Sequence, residues 1–110
     1  MLIGEQVQTK SGHLDFLAID NNGNTIIIEL KRDRLPREVI AQAMDYASDV
    51  VNWSLDKLRE VCLKHTGKTL EDILLEAFEG IDIEDLTINI TQLILLIGFG
   101  IEDSLNRMID

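Results

Sequence analysis

Along the first third of the chain, hydrophobic positions recur at the short spacings of β-strands. Beyond it they recur at the wider spacings of helices. Leu2 to Thr9 alternates weakly and predicts a strand closed by the turn residues Lys10-Ser11-Gly12. Leu14 to Ile19 and Thr25 to Lys31 are rich in β-branched and apolar residues, and Asp20-Asn21-Asn22-Gly23-Asn24 separates them. Together they predict a hairpin. Pro36 suits a first helical turn, and Val39, Ile40, Ala43, Met44, Ala47, Val50 and Val51 follow at helical spacing. The spacing predicts a long amphipathic helix that continues with a bend through Leu55, Leu58 and Cys62 to His65, with Gly67 as its stop.

Thr69 and Asp72 resemble a capping box that opens a short helix through Phe78, closed by Gly80. Leu86 to Ile97 alternates and then becomes continuously apolar, which predicts a central strand covered on both faces. Ile101, Leu105, Met108 and Ile109 predict a last amphipathic helix. The resulting order, β-β-β-α-α-β-α, points to an α/β or α+β domain with helices packed on a small mixed sheet.

Composition narrows the class. The chain has 110 residues, 45% of them hydrophobic and 27% charged, which fits a single globular domain. Its longest apolar stretch, Leu93 to Ile101, is too short for a bilayer span. The first residues lack the basic and apolar regions of an export signal, and Cys62 is the lone cysteine, so no internal disulfide forms. These features lead us to expect a cytoplasmic protein. Ten Lys and Arg stand against twenty Asp and Glu, a net charge of −10, which opposes the usual footprint of a nucleic-acid binder. The acidity lies mostly after residue 50. Lys31, Arg32, Arg34 and Arg37 cluster in the first half, so a positive rim on an acidic body is expected.

The candidate chemistry lies in the hairpin. Glu29 and Lys31 interrupt an apolar strand two positions apart, and Asp15 interrupts the neighbouring one. Buried charges are costly unless they are paired or bind a metal. If Asn21-Asn22-Gly23 forms a three-residue loop with Gly23 left-handed, Asp15 falls opposite Glu29. A two-residue Asn22-Gly23 turn would send them to opposite faces. The sequence permits both. Opposed carboxylates favour a cation between them, and hard divalent ions suit an oxygen cage of this kind.

Gly12-His13-Leu14-Asp15, then Glu29-Leu30-Lys31, then Gln42 to Tyr46 resemble the Asp…Glu-x-Lys core and Gln-x-x-x-Tyr helix motif of the PD-(D/E)XK nuclease superfamily, particularly its RecB-like and archaeal NucS-like branches. The resemblance covers about residues 2–50, with a looser likeness in the last strand and helix. It implies a restriction-endonuclease-like core and a Mg²⁺- or Mn²⁺-dependent DNA endonuclease with a role in repair or recombination. By the same resemblance, Asp15, Glu29 and the Leu30 carbonyl would ligate the metal. Lys31 would position the attacking water and stabilise charge on the phosphate. Gln42 and Tyr46 would hydrogen-bond toward the site, while Arg32, Arg34 and Arg37 would contact DNA.

Many relatives carry a helix before the first strand that adds an acidic residue, whereas here the chain opens on the strand, and Glu5 reads as a solvated edge residue. The expectation is an excerpt of a longer protein, or a small member whose core is completed by a homodimer partner or an additional domain. The alternative function is an inactive nuclease-like module that contacts DNA or protein, and a third is an acidic adaptor unrelated to nucleic acid. His13 reads as a surface residue beside a turn, His65 as a helix-end residue, Cys62 as core and Trp53 as a packing anchor. Asn89-Ile90-Thr91 matches a glycosylation pattern but falls in a predicted strand of a non-exported chain.

Overall fold

A computed structural model of the chain describes residues 1–31, 36–80, 88–89 and 91–98. Strands β1 (Leu2–Thr9), β2 (Gly12–Ile19) and β3 (Thr25–Lys31) are followed by helices α1 (Pro36–Val50), α2 (Leu55–Thr66) and α3 (Leu70–Ala77), then by strand β4 (Gln92–Gly98). The sheet order is β1-β2-β3-β4, with β1–β2 and β2–β3 antiparallel and β3–β4 parallel. Among the described residues the fold is therefore α+β, with a mixed four-stranded sheet. The expected closing helix at residues 101–109 lies outside the described residues.

The hairpin takes the three-residue loop. Asp20 N–H donates to Asn24 O at 3.0 Å and Gly23 N–H to Asp20 O at 3.1 Å, with Gly23 at φ 83. The Asp20 side chain fixes this geometry, because Oδ1 accepts the N–H groups of Asn22 and Asn24 while Oδ2 accepts the Asn24 amide. The ladder that results pairs Ile19 with Thr25, Leu17 with Ile27 and Phe16 with Ile28.

One core joins the sheet to all three helices. Ile3, Val7, Leu14, Leu17, Ile19 and Ile27 from the sheet pack with Tyr46 and Val50 of α1, Leu58 and Cys62 of α2, and Leu70 and Leu74 of α3. Strand β3 shows the division of faces. Thr25, Ile27 and Glu29 are buried, whereas Ile26, Ile28 and Leu30 are only half-buried. The face with the period-2 set of buried residues meets the core.

Two sequence expectations change. The long bent helix is two helices: the chain turns at residues 51–54, and Ser54 caps α2 by accepting Lys57 N–H, a local hydrogen bond that competes with helix continuation. Thr69 caps α3 in the same way through Asp72 N–H, and Gly67 ends α2 in the left-handed conformation at φ 74. The apolar strand, expected at the centre and covered on both faces, is instead the edge strand of the described sheet. Its five apolar residues Leu93–Ile97 remain 37–47% exposed. Continuous hydrophobicity reports burial of both faces only when neighbours exist on both sides.

A buried asparagine anchors the entry to β4. Asn89 Nδ2 donates to Val50 O at 2.7 Å and Trp53 O at 3.0 Å, its Oδ1 accepts Thr25 Oγ1 and Gln92 Nε2, and its N–H donates to Gly23 O at 2.8 Å. One side chain thus ties the hairpin, the end of α1 and the start of β4. Asparagine suits the position because it tolerates the left-handed backbone found here, φ 63. A glycan on this buried, fully engaged amide is excluded.

Candidate functional site

The β2–β3 ladder ends at Phe16 and Ile28, and the register continued one step sets Asp15 opposite Glu29. There the side chains take over from the backbone. Asp15 N–H donates to Glu29 Oε2 at 2.7 Å, and Leu30 N–H donates to Asp15 Oδ2 at 2.7 Å. Gln6 Nε2 adds a longer contact of 3.3 Å to Asp15 Oδ1. Glu29 is fully buried, while Asp15 is half-buried and open to one side.

A local irregularity lies beside this arrangement. Leu14 and Leu17 are both fully buried in the same cluster although three positions apart, while the β1–β2 register runs unbroken from Gly4–Leu17 to Thr9–Gly12 and shifts between Leu2 and Gly4. On the facing strand Gln6 has φ 50, a strained value for a non-glycine residue. Gln6 is the contact that sequence reasoning missed, since nothing in the alternation of β1 marks it.

A second pair lies on α1. Gln42 Nε2 donates to Tyr46 Oη at 2.9 Å, and Tyr46 is buried in the core. A Cβ added at Gly12 would sit 3.4 Å from that hydroxyl oxygen, so the pair rests on the start of β2, three positions before Asp15. Gln42 Oε1 is buried with no hydrogen-bond partner. Asp49, further along α1, accepts Ser11 N–H at 2.9 Å and pins the β1–β2 turn to the helix.

The basic residues are less fully described. Lys31 ends β3 opposite Gly98, and only its backbone belongs to the described part of the chain. Arg32 and Arg34 lie outside the described residues, and Arg37 is exposed in the first turn of α1. His13 is exposed, pairing with Gln8 across β1–β2. Cys62 is buried beside Thr66, and burial pushes its thiol pKa up, which makes it a poor nucleophile. Trp53 packs against the core and carries the Lys57 ammonium 5.4 Å from its ring centre.

Among the described residues no three His, Cys, Asp or Glu side chains converge as a metal-binding group. Two carboxylates, those of Asp15 and Glu29, meet at the hairpin. Asp15 Oδ1 accepts a longer amide contact from Gln6, at 3.3 Å. Among the described helices none is long and apolar enough to cross a membrane. Compared with known proteins, the chain matches no family model, no curated protein and no solved structure.

Proposed function

We propose that this chain is a metal-dependent DNA endonuclease domain of the PD-(D/E)XK type, hydrolysing phosphodiester bonds. The observation that carries this reading is the convergence of Asp15 and Glu29 from adjacent strands at the end of their ladder, with Glu29 wholly buried. Burying a carboxylate costs free energy unless it is hydrogen-bonded, paired or bound to a metal. The order Asp15, Glu29-Leu30-Lys31, Gln42 and Tyr46 supports the same reading through its likeness to that superfamily.

In this proposal Asp15 and Glu29, with the Leu30 carbonyl, hold Mg²⁺ or Mn²⁺. The donor types fit such a hard ion. When bound, the ion would lower the pKa of a water and offset charge on the phosphate. Lys31 would orient that water and stabilise the developing charge with its ammonium. Gln42 would use its unpartnered buried oxygen, held by the bond to Tyr46, to accept a hydrogen bond at the rim. Arg32, Arg34 and Arg37 would meet the DNA backbone, giving binding that weakens with salt.

One observation favours a second reading, a nuclease-like module without turnover. Oδ2 of Asp15 and Oε2 of Glu29 already accept backbone N–H groups at 2.7 Å, so both carboxylates have structural work to do. Cleavage of linear, flapped, branched and mismatched DNA by wild type and Lys31→Ala, with and without Mn²⁺, separates the two. A working site predicts Mn²⁺-dependent cutting that falls roughly 10²–10³-fold in the variant, the usual effect of removing one electrostatic stabiliser. Salt-sensitive binding with every substrate left intact identifies the inactive module, and neither binding nor cutting removes DNA from the account.

A further inference from the structure

The described asparagines are held unequally. Asn89 is buried with its amide fully engaged, Asn24 gives its amide to Asp20 Oδ2 at 3.0 Å, and Asn52 gives its amide to Ser48 O at 3.2 Å. Asn21 and Asn22 are exposed at the tip of the β2–β3 loop, and neither side-chain amide has a hydrogen-bond partner among the described residues.

The residue after each asparagine decides what its amide can undergo. The backbone nitrogen of that residue is the nearest internal nucleophile to the side-chain carbonyl carbon, and a Cβ beside it crowds the approach. Thr25 follows Asn24, Trp53 follows Asn52 and Asn22 follows Asn21, whereas Gly23 follows Asn22 and has no Cβ. Attack on Asn21 is disfavoured further, because Asn22 N–H is tied to Asp20 Oδ1 at 2.9 Å. Gly23 N–H is held by one longer bond, to Asp20 O at 3.1 Å. At a loop tip such a bond opens at little cost in free energy.

We propose that Asn22 is a self-modification site, at which the Gly23 nitrogen converts the amide to a carboxylate and passes the main chain through the side chain. Gly23 N forms a bond to Asn22 Cγ, the Cγ–Nδ2 bond breaks, and ammonia leaves with the proton that Gly23 N carried. The cyclic imide then takes up one water. Opening at Cγ restores the ordinary main chain as an aspartate, and opening at the main-chain carbonyl carbon of Asn22 leaves an isoaspartyl linkage. Either product adds one negative charge to a chain already at −10.

The isoaspartyl product also bears on the hairpin acids. It adds a methylene to the main chain of a three-residue loop, and the length of that loop sets the pairing of Ile19 with Thr25 and, further along, the facing of Asp15 and Glu29. A longer loop relaxes this register, so the bonds from Asp15 N–H to Glu29 and from Leu30 N–H to Asp15 loosen. The inference uses the placement of the two acids and does not depend on any activity there.

Incubation of the folded chain in mildly alkaline buffer tests it, read by isoelectric focusing and by a tryptic map of residues 11–31. Expected is a species with one more negative charge that accumulates with time and with rising pH, carries its change at Asn22, and is labelled in part by an isoaspartyl methyltransferase. Asn22→Gln should not form it, since its longer side chain closes a ring poorly. In the isoaspartyl fraction the Asp15 and Leu30 amides should exchange up to about tenfold faster than in fresh protein, the effect of losing a hydrogen bond. Asn22→Asp, with the same charge and an ordinary main chain, should not show this. A folded chain that stays unmodified overturns the inference, and conversion in urea alone would assign the protection to the native loop. Conversion mapped to Asn21 or Asn24 overturns it as well. Unchanged exchange in the isoaspartyl fraction rejects the path to Asp15 and Glu29, and the wild-type map decides the site even if a variant fails to fold.

Discussion

Asp15 gives its backbone N–H to the carboxylate of Glu29 and receives, on its own carboxylate, the N–H of Leu30, both at 2.7 Å. The two acids thus close the end of a ladder whose backbone pairing stops one step earlier, at Phe16 and Ile28. Each is an acceptor that a backbone donor depends on.

Both acids therefore serve the fold as acceptors. Glu29→Ala leaves Asp15 N–H unsatisfied and opens a cavity, for a loss of about 1–3 kcal/mol or more. Glu29→Gln retains an oxygen for that bond and should cost clearly less. Urea unfolding of the two variants makes the comparison, and equal losses would show that the hydrogen bond contributes nothing.

Metal should be read by stability as well as by cleavage. With a divalent ion held by Asp15 and Glu29, Mn²⁺ at about one hundred times its dissociation constant should stabilise the fold by about 2.7 kcal/mol. The Asp15→Asn, Glu29→Gln double variant should lose this response. A Tm that rises equally in wild type and double variant would place the ion elsewhere.

Asn89 combines a left-handed backbone with a saturated, buried side chain. Asn89→Gly keeps the backbone accessible and removes only the bonds, whereas Asn89→Ala also adds roughly 1–2 kcal/mol of left-handed strain. Both should destabilise by more than about 2 kcal/mol, because several buried groups lose partners at once. Chemical denaturation that finds Ala no worse than Gly would argue against the backbone contribution.

The hairpin loop should loosen in acid. Burial pushes the Asp20 carboxyl upward, but the Asn24 amide and the N–H groups of Asn22 and Asn24 outweigh it and hold the pKa below its ordinary value. A lowered folded pKa contributes stability that is present above the unfolded pKa of about 3.9 and is lost as pH falls through the folded value. The stability gap between wild type and Asp20→Asn should therefore be widest near neutrality and shrink below about pH 4. A gap that stays constant down to pH 2 would remove Asp20 as its source.

The three strands of the first half were legible because their signals are local. Turn residues bracket alternating runs, and β1 and β3 run from Leu2 to Thr9 and from Thr25 to Lys31, as the pattern predicts. The choice between two loop lengths was not legible from Asn22-Gly23 alone. In the observed loop the Asp20 carboxylate accepts the N–H groups of both Asn22 and Asn24. The facing of Asp15 and Glu29 followed from that choice. The break before α2 carried a sign, Ser54 as a cap, that the continuing apolar spacing obscured. The edge position of β4 had no sign at all, since hydropathy records that a strand is apolar and not who its neighbours are. The strained Gln6 and the buried Asn89 likewise depend on contacts distant in the chain.

The place of β4 in the chain also orders events in time. The bond joining Asp15 and Glu29 closes a separation of 14 positions, whereas the Thr25–Asn89 bond that anchors β4 closes one of 64. Parallel pairing with β3 waits on three intervening helices, and contacts of long sequence separation form late. Pulse-labelled amide exchange during refolding should find the β2–β3 hairpin protected before Leu93–Ile97, and simultaneous protection would refute that order. Until β4 docks, the most apolar of the described strands stays unpaired, so slow completion of this sheet leaves the folding chain open to aggregation.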